Sequence, residues 1–202
     1  MTSIRSCFEY IISGNKEEGH AAAGKVRKVV YSHASGGIDD IRHFINNAPW
    51  QYSMLEEQWR KAYFVRAISV LYFLHDREDM PDFLFPWLCQ LLEHSSGTIR
   101  YAAVRMFENE LGPLTVHIRF PDKNYDLDPD HADRILYSLF CSLKLMLEFT
   151  WRPAYEKIEY IHLLPASPYK SVQMVISEMR DCCGDEYMDM MDRTIKKRLS
   201  VT

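Results

Sequence analysis

The sequence has no apolar run long enough to cross a bilayer. Its most apolar stretch, residues 135–147, is interrupted by Lys144 and is shorter than the roughly 20 residues that a transmembrane helix needs. The first residues also lack the long apolar region and the small-residue cleavage site of a signal peptide. We therefore expect no membrane partner, and we predict a cytoplasmic protein.

A strong charge of one sign is also absent. The chain has 24 lysine and arginine residues against 28 aspartate and glutamate residues, which gives a formal net charge of −4. Such a balance creates no overall field that would draw the protein to nucleic acid or anionic lipid, although a local basic patch is compatible with it.

The cysteines show no metal-binding or redox spacing. No CxxC pair occurs, and the odd number of cysteines predicts reduced thiols in an intracellular protein. Two of them are adjacent, and packed thiols are favoured there because a disulfide between neighbours is strained. The five residues are Cys7, Cys89, Cys141, Cys182 and Cys183.

Motifs for catalysis or cofactor binding are missing as well. The sequence contains neither HExxH nor GxSxG, and residues 19–26 resemble a phosphate-binding loop but end in Val26, which has no hydroxyl for Mg²⁺. We interpret this segment as an exposed helix carrying Lys25, Arg27 and Lys28. We predict no cofactor and favour a protein without catalytic activity, while leaving catalysis open.

An aspartate-rich stretch offers a metal-site alternative. Oxygen-bearing side chains occupy the ligand positions of a calcium-binding EF-hand loop: Asp122, Asn124, Asp126, Asp128, Asp130 and Asp133. Leu127 stands where the loop needs glycine, and the last position is Asp rather than Glu. The favoured interpretation is local, with Asp128 as the N-cap of a helix and Pro129 in its first turn.

Helical periodicity dominates what is present. Hydrophobic residues make up 47% of the chain, enough for a core, and their spacing predicts about nine to ten helices and no convincing sheet. We predict one all-α domain over residues 1–202, built from stacked antiparallel helix pairs. The early helices are expected at 2–13, 16–35, 38–47 and 54–75, and residues 114–120 are interpreted as a short helix or connector.

Residues 81–111 form the clearest helical pair. Leu84, Leu88, Leu91 and Leu92 give the first helix one apolar stripe. After a short turn, Thr98 is the predicted N-cap of the second helix, which we expect to end at Gly112-Pro113. Its apolar face is formed by Ile99, Ala102, Ala103, Met106 and Phe107.

This pair resembles a HEAT repeat. The resemblance lies in Leu91-Leu92, six intervening residues and then residues 99–103, Ile-Arg-Tyr-Ala-Ala, with weaker echoes at 59–62 and 169–172. In that family an Asp often follows the leucines by two residues and joins a ladder with the arginine, whereas this chain has His94. The resemblance implies an armadillo-like α-solenoid, an α-α superhelix.

An α-solenoid of this kind predicts a non-catalytic scaffold that binds another protein. Aromatic and basic neighbours are the predicted partner-binding residues: Trp59, Arg60, Arg100 and Tyr101. The alternative is a nucleic-acid-binding or DNA base-processing protein of similar fold. It requires a groove in which exposed Trp or Tyr side chains lie beside the guanidinium groups of Arg60, Arg66, Arg100 and Arg105. The oligomeric state is left open.

Overall fold

The computed structural model describes residues 3–31, 38–74, 81–123, 127–157 and 166–199. Within these ranges the chain forms eleven α-helices, two short 3-10 helices and no strand, which confirms the all-α prediction. Two compact units divide the chain, residues 1–87 and residues 88–202, and the division falls inside the sixth helix.

The first unit is organised around its fifth helix. Its helices are α1 (Ile4–Ser13), α2 (Lys16–Tyr31), α3 (Ile38–Asn46), α4 (Ala48–Met54) and α5 (Gln58–Leu71), followed by a 3-10 turn at Tyr72–Leu74. α5 contacts each of the four helices before it. The aromatic centre of this core is Phe8, whose ring stacks on Phe44 at 4.0 Å and meets Phe64 edge-on at 5.6 Å.

Side-chain caps explain where the first two helices begin. Ser3 accepts a hydrogen bond from the Ser6 N–H at the start of α1. At the start of α2, Asn15 accepts from the Glu17 and Glu18 N–H groups, and the Glu18 carboxylate accepts the Asn15 N–H in return. This reciprocal capping box satisfies backbone donors that have no partner within the helix. It fixes the start of α2 at the predicted residue.

Residues 19–26 lie in the interior of α2, so they form a helix and not a phosphate-binding loop. Lys25, Arg27 and Lys28 are exposed, as predicted for this segment. Gly19 serves packing instead, because a Cβ atom there would lie only 3.0 Å from the Trp59 ring and 3.5 Å from the Tyr63 ring. The missing side chain therefore lets α2 and α5 approach closely.

We expect Gly19→Val to lower the free energy of unfolding by about 1–3 kcal/mol, since the added methyl groups overpack the contact with Trp59. Gly24→Ala is the matched control on the same helix. A Cβ at Gly24 meets nothing within 4 Å, so alanine should stabilise the helix by about 0.5–1 kcal/mol. Urea unfolding followed by circular dichroism measures both. Equal changes in the two variants would contradict the packing role of Gly19.

The second unit is organised around its tenth helix. The remaining helices are α6 (Phe85–Leu92), α7 (Gly97–Leu114), α8 (Val116–Arg119), α9 (Pro129–Thr150), α10 (Pro168–Cys183) and α11 (Asp185–Leu199), with a 3-10 turn at Pro153–Lys157. α10 contacts α7, α8, α9 and α11. Its central face is apolar, with Val172, Val175 and Met179 fully buried. None of the described helices combines the length and apolar character that crossing a membrane requires.

The boundaries of α7 correct two predictions. Ser96, not Thr98, is the residue before the first turn, and α7 continues through Pro113 to Leu114. Pro113 lies in the last turn of α7, and Thr115 closes the helix by donating its N–H and its hydroxyl to the Leu111 carbonyl. Gly112 does not supply a left-handed cap. Among the described glycines, a positive φ is found at Gly184, where it is 84° directly after α10.

Among the other predicted helix boundaries, some agree with the structure and some do not. Asp128 caps α9 by accepting from the His131 N–H at 3.1 Å, and Pro129 follows it, as predicted. The short-helix interpretation of 114–120 is confirmed by α8. The helix predicted over 54–75 begins later than predicted, at Gln58, and the separate helix α4, which ends at Met54, was not predicted. Residues 32–35 of the helix predicted over 16–35 lie outside the described part of the chain.

Candidate functional site

A groove of about 550 Å³ opens in the first unit where α4 and the start of α5 meet the end of α1. We call it the α4 groove. Its lining combines apolar side chains, two carboxylates, a guanidinium and the last residues of α1: Ile12, Ser13, Trp50, Gln51, Met54, Leu55, Glu56, Glu57 and Arg60. The groove thus brings one of the predicted binding residues, Arg60, into a concave surface.

Arg60 forms a fixed wall of this groove. Its Nη1 donates to the carbonyl oxygens of Ile11 at 3.2 Å and Ile12 at 2.7 Å, and its Nε donates to the Glu57 carboxylate at 2.8 Å. The two carbonyls belong to the last turn of α1, where no intrahelical N–H reaches them. Arg60 therefore joins α5 to α1, and its hydrogen-bonding capacity is largely used within the protein.

Trp59 supports Arg60 from the other side. The guanidinium carbon of Arg60 lies 4.4 Å from the centre of the Trp59 ring, a cation–π contact. The indole also packs on Tyr63 and on the bare backbone of Gly19. Trp59 is half-buried by these contacts and does not line the groove. Trp59 and Arg60 therefore stabilise one side of the groove, and their role in partner binding stays a prediction.

The apolar side of the groove was missed by sequence reasoning. Trp50 and Met54 lie four residues apart on α4, so they share one face of the helix, yet they are 64% and 66% exposed. Leu55 beneath them is buried. Two large apolar side chains left uncovered at the rim of a concave surface are typical of an interaction site. Their i, i+4 spacing was the available signal, but the sequence alone did not separate surface from core.

The groove also has acceptor character. Glu56 is exposed and has no ion-pair partner among the described residues, whereas Glu57 is paired with Arg60. The carboxyl end of α1, which carries the negative end of the helix dipole, faces the same groove through Ile12 and Ser13. In the described part of the chain the Oε1 atom of Gln51 is buried and accepts no hydrogen bond. The uncompensated groups are therefore acceptors.

The other two predicted binding residues lie in the second unit. Arg100 is only 5% exposed, and its Nη1 donates to the carbonyls of His94 at 2.7 Å and Ser95 at 2.8 Å. Burial lowers the pKa of its guanidinium, an effect that Tyr155 opposes. His94 in turn accepts the Ser96 N–H on its Nδ1 at 2.9 Å. Arg100 thus fastens the turn between α6 and α7, and Tyr101, 44% exposed, is the one of this pair at the surface.

The described aspartates of the predicted calcium loop have different surroundings and different roles. Asp122, Asp128 and Asp130 are exposed, and Asp128 is the α9 cap, while Asn124 and Asp126 lie outside the described residues. Asp133 lies one turn into α9, and its Oδ1 is 2.8 Å from the His117 Nε2 and accepts the Tyr187 hydroxyl. In the described ranges no three His, Cys, Asp or Glu side chains gather in a way that could hold a metal ion.

The Asp133 cluster ties helices together rather than activating a nucleophile. His117 comes from α8, Asp133 from α9 and Tyr187 from α11, so one carboxylate joins three elements of the second unit. Burial, followed by the hydrogen bond to Asp133, raises the pKa of the Tyr187 hydroxyl, which disfavours its ionised form. Burial also raises the pKa of the Cys183 thiol to about 12. Both groups are held in their unreactive, protonated states.

These shifts predict that stability falls at alkaline pH. A group whose pKa is higher in the folded than in the unfolded state stabilises the protein below its unfolded pKa, and this contribution disappears as pH rises towards the folded value. The Cys89 pKa is raised to about 11 and the Cys183 pKa to about 12. We expect the free energy of unfolding, measured with urea, to fall between about pH 9 and pH 11, by about 1.4 kcal/mol per unit for Cys183 at most. Cys183→Ala should flatten this slope, and an unchanged slope would contradict the assignment.

Comparison with known proteins adds no assignment to this geometry. No protein-family model matches the chain, and no curated protein or solved structure matches it significantly. The functional conclusion therefore rests on the α4 groove itself, which combines the exposed apolar pair Trp50 and Met54 with a wall that Arg60 holds rigid.

Proposed function

We propose that this chain is a non-catalytic helical scaffold of the cytoplasm that binds another protein through the α4 groove. The observation that carries the proposal is the exposure of Trp50 and Met54 on one face of α4, beside a concave surface in the first unit. Aromatic and methionine side chains are enriched at the centres of protein interfaces, where they bury large apolar areas. A preorganised wall reduces the entropy lost on binding.

A HEAT-like stacking of the helix pairs is part of the proposal. Support comes from the helical pair that carries the motif, in which Leu91, Leu92, Ile99, Ala102 and Ala103 are all buried. The arginine of the motif, Arg100, bonds the turn of its own pair. Stacked pairs offer extended surfaces to other proteins, which agrees with a scaffold.

The nucleic-acid alternative has weaker support. It depends on arginines that are free to contact phosphates, but Arg60 and Arg100 each donate to two backbone carbonyls. Arg66 and Arg105 are exposed. In the α4 groove the unpaired charge belongs to a carboxylate, which repels a phosphate backbone.

Affinity capture with a groove variant tests the proposal. Wild-type protein and the double variant Trp50→Ser/Met54→Ser serve as baits, and each capture is divided into nuclease-treated and untreated halves. We expect a stoichiometric protein partner that survives nuclease and is lost with the double variant. Leu145→Ser, which removes an exposed apolar side chain of the second unit, is the control and should retain the partner.

Two outcomes would contradict the proposal. If the double variant captures the same partner as the wild type, the α4 groove is not the binding surface. If nucleic acid is recovered and the protein partners disappear with nuclease, the scaffold proposal gives way to the nucleic-acid alternative. Circular dichroism spectra of all baits should agree, because the replaced side chains are exposed and their loss should change the free energy of unfolding by less than about 0.5 kcal/mol.

A further inference from the structure

We infer that the α4 groove receives an arginine side chain presented by an extended segment of the partner protein. This inference rests on the proposed function and adds the chemistry of the occupant. It follows from two features of the groove: the exposed aromatic side chain of Trp50 and the unpaired carboxylate of Glu56.

The apolar side of the groove fits the body of a long side chain. Trp50 and Met54 leave most of their surface exposed on the same face of α4. An arginine has a three-carbon stem that packs on such a surface while its charged head stays at the rim. The planar guanidinium also stacks on an indole, and this fold already contains that contact between Arg60 and Trp59 at 4.4 Å.

The charges of the groove select a cation. The positive charge of Arg60 is offset by Glu57 at 2.8 Å and by the carbonyls of Ile11 and Ile12. Glu56 is left as the unpaired charge of the lining among the described residues, and the negative end of the α1 dipole adds to its field. An acidic segment would meet like charge, and a purely apolar one would leave Glu56 without a partner.

Arginine is favoured over lysine because its planar head combines hydrogen-bond donors with a face that stacks on an aromatic ring. A guanidinium presents five N–H donors in a rigid fork, so one head can donate to a carboxylate such as Glu56 while its face lies on an aromatic ring. A lysine head is a compact, strongly hydrated charge that makes fewer simultaneous contacts of this kind. The groove therefore predicts that a basic residue is preferred over an acidic or apolar one, and that arginine is preferred over lysine.

The test uses three peptides that differ at one position. The probe is acetyl-Gly-Ser-Leu-Arg-Leu-Ser-Gly-amide, and the matched peptides carry citrulline, which is nearly isosteric but neutral, or glutamate at the central position. Binding is followed through the indole N–H signal of Trp50 in nitrogen–proton correlation spectra of the full chain. Trp50→Phe identifies this signal by removing it.

We expect the arginine peptide to shift the Trp50 signal and to bind about threefold to tenfold more tightly than the citrulline peptide. Glu56→Gln should remove most of that difference. Glu9→Gln is the control, since it deletes the same charge from an exposed position of α1 that does not line the groove, and it should leave the difference unchanged.

Equal binding of the arginine and citrulline peptides, with both shifting the Trp50 signal, would overturn the inference and leave the groove as a protein-binding surface. Absence of any shift at about 10 mM arginine peptide would overturn it too, because that concentration exceeds the roughly 1 mM dissociation constant expected for a single anchoring side chain. In either case the capture experiment decides the proposed function independently, since it depends on Trp50 and Met54 and not on Glu56.

Discussion

Replacing Arg100 by methionine is expected to lower the free energy of unfolding by about 2–4 kcal/mol. The methionine fills much of the space of the buried stem but cannot donate to the carbonyls of His94 and Ser95, which Arg100 reaches at 2.7 and 2.8 Å. A hydrogen bond from a charged donor is worth about 1.5–3 kcal/mol, and the two carbonyls here are only partly buried. Methionine carries no charge that has to be buried, which recovers part of the lost stability. We therefore expect the total loss to stay below about 4 kcal/mol.

Urea unfolding at pH 7 measures this change, and two variants control for it. Arg105→Met removes an exposed arginine from the same helix, and it should change the free energy of unfolding by less than about 0.5 kcal/mol. Arg100→Lys keeps the charge but has no planar fork, so it should recover only part of the loss. If Arg100→Met and Arg105→Met were equally stable, the turn between α6 and α7 would not depend on the guanidinium.

Local sequence signals predicted the elements whose boundaries depend on neighbouring residues. Asp128 and Pro129 were sufficient to place the start of α9, because a cap and a preset φ act within one turn. Gly184 follows α10 directly, and its φ of 84° suits glycine. In the apolar run of residues 135–147, Ile135, Leu136, Leu139 and Leu143 are buried on α9, whereas Met146 and Leu147 are half-buried.

The same signals failed where tertiary contacts decide. Gly112-Pro113 looked like a helix end, but Thr115 supplies the closing hydrogen bonds two residues later. Arg100 was predicted at the surface beside Tyr101, yet it is buried and donates to the carbonyls of His94 and Ser95. Periodicity shows which residues share a helix face. It does not show which carbonyls of a turn need a donor from elsewhere.

At the α4 groove, too, the sequence did not show which of the side chains are exposed. Trp59 and Arg60 stood out in the sequence because an aromatic beside a cation suggests recognition. In the structure their cation–π contact is internal, and the surface they support is formed by Trp50 and Met54. In sequence these two cannot be told from core residues, because exposure depends on what packs against α4.

Phe8→Ala is expected to lower the free energy of unfolding by about 3–5 kcal/mol. Phe8 is fully buried, its ring is stacked on Phe44 with 13° between the planes, and it meets Phe64 edge-on. Truncation removes the transferred apolar surface, leaves a cavity and deletes both aromatic contacts. Typical domains have only about 5–15 kcal/mol to lose, so thermal unfolding should shift strongly as well.

Phe149→Ala is the matched control for this loss, because the same side chain is 70% exposed on α9 and its truncation should cost less than about 0.5 kcal/mol. Phe8→Leu keeps most of the volume and should recover more than half of the lost stability, since the cavity term largely disappears. A loss below about 1 kcal/mol for Phe8→Ala would contradict the role of this aromatic cluster as the core of the first unit. It would also weaken the case for a preorganised groove, because α1 carries both Phe8 and, within the next turn, the Ile11 and Ile12 carbonyls that hold Arg60 in place.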